Sequence, residues 1–115
     1  MLIKMLKSKI HRAIVTGADL HYEGSIGIDE DLLDASGIRP FEAVHLWNLN
    51  NASRFETYAL PLRRGLGEIV VNGAAARLAA AGDLVIIASY CWLDEQAAPS
   101  HQPTVVLIRE GNRIP

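Results

Sequence analysis

Few residues of this chain could do chemistry, and the familiar arrangements do not account for them. Ser25 lies in Glu23-Gly24-Ser25-Ile26-Gly27, which lacks the G-x-S-x-G spacing of a nucleophile elbow and has no strong helix pattern behind it. Serine hydrolysis is therefore disfavoured. The four histidines, His11, His21, His45 and His101, never fall at the i,i+3 or i,i+4 spacing that puts two metal ligands on one helical face. Cys91 is the only cysteine, which excludes an intrachain disulfide and a multi-cysteine zinc site. Flanked by Tyr90 and Trp92 after an apolar run, it reads as a small hydrophobe rather than a nucleophile. No G-x-x-x-x-G-K-[ST] loop and no G-x-G-x-x-G turn is present, so nucleotide cofactors have no support.

The elements that must carry these residues are short. Lys9 to Thr16 reads as a strand and Gly17-Ala18-Asp19 as a turn, followed by a brief extended piece from Ser25 to Ile28. Asp29 is placed to N-cap a helix running to about Ala35, with Gly37 as its C-terminal cap. Val44 to Leu49 and Arg54 to Leu60, joined by Asn50-Asn51-Ala52-Ser53, form a hairpin. Glu68 to Asn72 is a short strand, and the small residues Ala74 to Ala81 a short helix closed by Gly82. Leu84 to Ala88 and Val105 to Ile108 are core strands joined by a polar link from Asp94 to Pro103. Many short strands with two brief helices predict a mainly β fold, a closed or nearly closed barrel with helical inserts. A barrel this small is filled by its own side chains, so a pocket belongs at the rim or between subunits of a homo-oligomer.

Bulk composition narrows the class. A chain of 115 residues, half apolar and 21% charged, is one ordered domain. With 11 basic against 13 acidic residues it carries no field that would gather polyanions, so nucleic acid is not an expected partner. The basic cluster Lys4, Lys7, Lys9, Arg12 reads as a solvated face, and a small DNA-binding barrel is the weakest of the open readings. Lysines interrupt the apolar residues of Met1 to Lys7, and no stretch approaches a membrane span. A cytoplasmic protein with no membrane association is the expectation. From residue chemistry alone the function stays open between an enzyme and a catalytically inactive barrel serving as a binding or assembly module.

A wider pattern separates these. Ala18-Asp19-Leu20-His21-Tyr22-Glu23-Gly24-Ser25 resembles the processing site of the pyruvoyl-dependent aspartate 1-decarboxylases. Further blocks match that family in order and spacing: Trp47-Asn48, Arg54-Phe55 with Thr57-Tyr58-Ala59, Arg64-Gly65, Val71-Asn72-Gly73-Ala74-Ala75-Ala76 and Gly82-Asp83-Leu84-Val85-Ile86-Ile87. The similarity runs from Met5 to about Pro103. Departures are Ile26 after the serine, the Asp94 to Pro103 link and the residues beyond Pro103.

The resemblance implies a double-psi β-barrel assembled as a homotetramer, with a chain that cuts itself between Gly24 and Ser25 into segments 1–24 and 25–115. Ser25 would become a covalent pyruvoyl group, which forms a Schiff base with L-aspartate and accepts electrons as carbon dioxide leaves. Gly24, Ser25, Thr57 and Asn72 would serve self-processing, and Gly24, lacking a Cβ, would take a strained turn geometry that presents its carbonyl. Ser25 and Tyr58 would be catalytic, the tyrosine returning a proton to the substrate carbon. Lys9, Arg54, Thr57 and the main chain of Gly73, Ala74 and Ala75 would bind substrate. The resemblance leaves open a helper protein for maturation. In a flat strand Arg54, Glu56 and Tyr58 share one side and Thr57 takes the other, so either a bulge re-aims a side chain or subunits share the site.

Overall fold

The computed structural model describes residues 1–115. Its strands are β1 (Leu2–Ile14), β2 (Gly17–Asp19), β3 (Ser25–Asp29), β4 (Ala43–Asn48), β5 (Arg54–Leu62), β6 (Ile69–Asn72), β7 (Leu84–Asp94) and β8 (Thr104–Leu107). One α-helix, α1 (Glu30–Ser36), and two 3₁₀ segments, Gly73–Arg77 and Ala98–Ser100, fill the connections. The mainly β expectation holds. No helix is long and apolar enough to cross a membrane.

The strands form one ladder in the order β2-β6-β3-β5-β4-β7-β1-β8. Only Val15 and Thr16 separate β1 from β2, and they bond to opposite neighbours. Val15 N–H donates to Asp83 O at 2.9 Å, whereas Thr16 N–H donates to Ile69 O at 2.8 Å. The ladder thus wraps back towards its own start, with β2/β6, β3/β5 and β1/β8 parallel and the other pairs antiparallel.

Period-two alternation builds the core. Ile10, Ile87 and Leu46 are directly opposite one another across β1, β7 and β4, and all are fully buried. Each such side chain contributes about 1.5–3 kcal/mol through burial. β3 is buried at every residue because it lies between β5 and β6 with both faces covered. Gly27 shows how closely: an added Cβ would meet Leu62 side-chain atoms at 2.8–2.9 Å. α1 starts as expected, with Asp29 Oδ1 accepting from Asp31 N–H at 2.8 Å, and it ends with Gly37 at φ 75°.

Three local readings are corrected. Gly17 to Asp19 is a strand rather than a turn, because it finds a parallel partner in Val70–Asn72. β1 starts at Leu2 and β7 runs to Asp94, so an outlying ribbon extends both expected strands. Leu2, Ile3 and Trp92 are exposed there, so no buried face marks the pattern. The expected helix from Ala74 to Ala81 is only a 3₁₀ segment over Gly73–Arg77. The carbonyl of Leu78 is taken by three side-chain donors, from Asn48, Asn51 and Ser53, while Gly82 N–H turns away to Val15 O. No helical bond is left to continue the turn.

Candidate functional site

β3 begins at Ser25, between β6 on one side and β5 on the other. Ser25 is directly opposite Asn72 in the antiparallel register, and Asn72 Nδ2 donates to Ser25 Oγ at 3.1 Å. The hydroxyl is 1% exposed, yet the residue before it, Gly24, is in an exposed bend. On the β5 side the parallel pairing starts at Ile26 opposite Ala59, so Tyr58 and Thr57 occupy the strand positions beside Ser25 and Gly24. Ser25, Asn72, Thr57 and Tyr58 are therefore brought together at one end of three adjacent strands. Neither Thr57 nor Tyr58 hydrogen-bonds the serine. Tyr58 is half-buried, with its ring stacked on Phe41 at 6.2 Å between centroids.

The glycine that this site requires is not the one expected. Gly24 has no positive φ, and a Cβ added there meets nothing within 4 Å, so no strained left-handed turn is stored at that residue. Gly73, which starts the 3₁₀ segment, is at φ 73°, and a Cβ on it would stand 2.7 Å from Gly24 Cα and 3.2 Å from Tyr22 O. Backbone therefore packs directly on backbone just before Ser25. Ala74 beyond it is exposed and Ala75 half-buried.

Lys9 and Arg54 lie elsewhere. Arg54 is exposed at the start of β5, opposite Trp47, with its guanidinium carbon 4.6 Å from the tryptophan ring centroid. Lys9 is half-buried on β1, opposite Ala88. One cross-strand row runs Lys9, Ala88, His45, Glu56 over β1, β7, β4 and β5. Within a single chain Lys9 is thus three strands away from β5. The alternation on β5 is unrelieved, because its register with β4 is unbroken from Tyr58 to Arg54. The bulges are in β1 instead, between Leu6 and Ser8 and between Ile10 and Ala13, where Arg12 takes φ 66°. The basic cluster is not a uniform solvated face either: Lys7 Nζ reaches Glu42 at 2.8 Å and Gly37 O at 2.8 Å.

The other end of β3 carries more than the expected helix cap. Asp29 is 2% exposed and accepts N–H bonds from Asp31, Gly65 and Gly67 at 2.8, 3.3 and 2.7 Å. Burial alone would raise its pKa, but those three donors together with Arg64 hold it below the usual carboxylate value. Buried Asn112 joins the same end, donating to Ile14 O and Gly67 O and accepting from Ile14 N–H. A Gly65, Gly67 and Gly111 pattern around polar residues was the available signal. A cavity of about 580 Å³ opens here among Asp29, Asp31, Asp34 and Asn112, not at Ser25. Its carboxylates are already engaged by backbone N–H groups and by Arg64, whereas the Ser25 hydroxyl has the single partner Asn72.

The family model described as Aspartate decarboxylase matches residues 1–115. The aspartate 1-decarboxylases of Hyphomonas neptunium and Caulobacter vibrioides are each 58% identical over 114 residues, covering 99% of this chain and 97% of theirs. That of Leptothrix cholodnii is 57% identical over 110 residues, covering 96% of this chain and 84% of its own.

Proposed function

The chain belongs to the aspartate decarboxylase family, and on that premise we propose that it converts L-aspartate to β-alanine and carbon dioxide after cutting its own backbone between Gly24 and Ser25. The β-alanine would supply pantothenate and coenzyme A synthesis in the cytoplasm. The observation that carries the reading is a buried serine hydroxyl, held by one donor from Asn72, immediately after an exposed glycine.

In the self-processing step Ser25 Oγ adds to the Gly24 carbonyl carbon, and the amide becomes an ester with release of the Ser25 nitrogen. Loss of the Ser25 Cα proton and of the Gly24 carboxylate separates segment 1–24 from segment 25–115. Water then replaces nitrogen at residue 25, ammonia departs, and a pyruvoyl group heads the longer segment. Thr57, in the strand position beside Gly24, assists the acyl shift with its hydroxyl, and Asn72 orients Oγ. The close backbone contact between Gly73 and Gly24 supports this by fixing the segment that carries the reacting carbonyl.

A pyruvoyl group fits the position: it is no larger than serine, and Asn72 Nδ2 already stands 3.1 Å from the side-chain oxygen of residue 25. When present it supplies a carbonyl that takes up the substrate amine and accepts the electron pair left by carbon dioxide. Tyr58 returns a proton to the former α-carbon from the strand position beside residue 25. Arg54 grips one substrate carboxylate in bidentate fashion and Lys9 adds a second cation, while main-chain N–H groups of Gly73, Ala74 and Ala75 meet the anion from the other side.

The regular alternation along β5 and the distance of Lys9 from β3 favour a site completed between subunits of a homotetramer. Exposed Phe41, Trp92 and Leu107 are apolar surface suited to such assembly. The ladder that wraps back on itself, with β3/β5 and β2/β6 parallel, supports a double-psi β-barrel. Denaturing mass spectrometry of aged protein, followed by incubation with L-aspartate, tests the whole reading. Segments 1–24 and 25–115 and the appearance of β-alanine are expected; one unbroken chain forming no β-alanine refutes it.

A further inference from the structure

Glu56 is a carboxylate in an awkward place. It shares the outer face of β5 with Arg54 and Tyr58, and side chains two residues apart on a strand stand about 7 Å apart. An arginine needed by a dicarboxylate substrate would therefore have a competing anion within reach. The structure shows Glu56 engaged elsewhere: His45, directly opposite on β4, brings Nε2 to 3.2 Å from Glu56 Oε2. Arg54 and Lys9 make no ion pair at all. Aromatic contacts hold this arrangement. Trp47 lies under the Arg54 guanidinium, and the Tyr90 ring meets His45 edge to face at 5.1 Å and 85°.

We propose that His45 is a positioning residue that draws Glu56 away from Arg54 and so keeps the arginine free for a substrate carboxylate. This rests on the reading of Arg54 as a substrate cation. The charged and titratable groups around His45 are Glu56, Arg54 and Tyr58 on β5, Tyr90 on β7, Lys9 across Ala88 on β1, and Lys4, whose Nζ is 5.1 Å from the Tyr90 centroid. Nearby Glu42 is occupied by Lys7. The 3.2 Å contact from His45 Nε2 holds Glu56 towards β4. Without it Glu56 is freed to cover Arg54, so KM for aspartate rises while kcat is little changed.

Steady-state kinetics on fully cleaved enzyme, with cleavage verified by mass, test this. His45→Ala should raise KM about two- to fivefold, the scale of an exposed ion pair, and Glu56→Gln added to it should bring KM back. Glu56→Gln alone should keep KM at or below the wild-type value. It also decides the matter if His45→Ala does not fold, since a raised KM in Glu56→Gln overturns the proposal. A raised KM that the double variant does not restore, or no change in KM with His45→Ala, likewise overturns it. Arg54→Ala separates the two levels. If it raises KM about tenfold or more while the His45 and Glu56 variants do nothing, only the role of His45 falls; if Arg54→Ala leaves KM unchanged, the substrate-cation assignment falls as well.

Discussion

β3 buries a polar side chain at each end, and the two are treated in opposite ways. Asp29, at its carboxy-terminal end, has its carboxylate taken up by three backbone N–H groups. Ser25, at the start, is as deeply buried but receives a single bond from Asn72, and its own proton has no acceptor among the protein's hydrogen bonds. Buried polar groups are ordinarily satisfied because an unpaired one costs about 1–3 kcal/mol. The saturated carboxylate ties loop to strand. The half-engaged hydroxyl, next to an exposed peptide bond, is a group with valence left for reaction. Strand burial alone does not distinguish architecture from chemistry; the number of partners does.

The largest effect expected from breaking this contrast is that of Ser25→Ala. It should leave a single chain of residues 1–115 and no detectable β-alanine, while costing only about 0.5–1.5 kcal/mol of stability for one neutral hydrogen bond. Intact mass and a denaturant melt read both. Asp29→Asn should do the converse, permitting cleavage while lowering stability by about 1.5–3 kcal/mol, because the donors of Gly65 and Gly67 lose a charged acceptor. Acid should expose the same linkage. With its folded-state pKa depressed, Asp29 contributes stability in full above the unfolded value of about 3.9 and loses it as pH falls through the lower folded value. Acid unfolding curves of Asp29→Asn should be shallower than wild type over that range; curves of identical slope would assign the three bonds no net role.

The two ends also differed in how far they could be read in advance. The cap at Asp29, the hairpin of β4 and β5 and the closing glycine of α1 are local in sequence, and each followed from turn and cap chemistry. At the reactive end, Ser25, Tyr58, Thr57 and Asn72 were picked out by resemblance, because nothing in the spacing of a serine and a distant threonine says that β3 and β5 run parallel side by side. The identity of Gly17–Asp19 as a strand depended on a partner 53 residues away, and the contact between Gly73 and Gly24 spans 49. Cross-strand pairs such as His45 and Glu56 become legible only once register is known.

The smallest effect separates the two glycines, and it bears on where geometry is stored near the reaction. Gly73 holds φ at 73° and leaves no room for a methyl group against Gly24, so Gly73→Ala should cost about 1–3 kcal/mol. Gly24 has no positive φ and faces open space, and Gly24→Ala should change stability by no more than about 0.5 kcal/mol. Both variants are best melted in the Ser25→Ala background, where neither chain is cut and the comparison is between like states. A Gly24→Ala melt as low as that of Gly73→Ala would mean that residue 24, not its neighbour across the contact, carries the conformational constraint. A melt unchanged from the parent, together with slowed cleavage when Ser25 is restored, would assign the role of Gly24 to the approach of Oγ to its carbonyl and not to the fold.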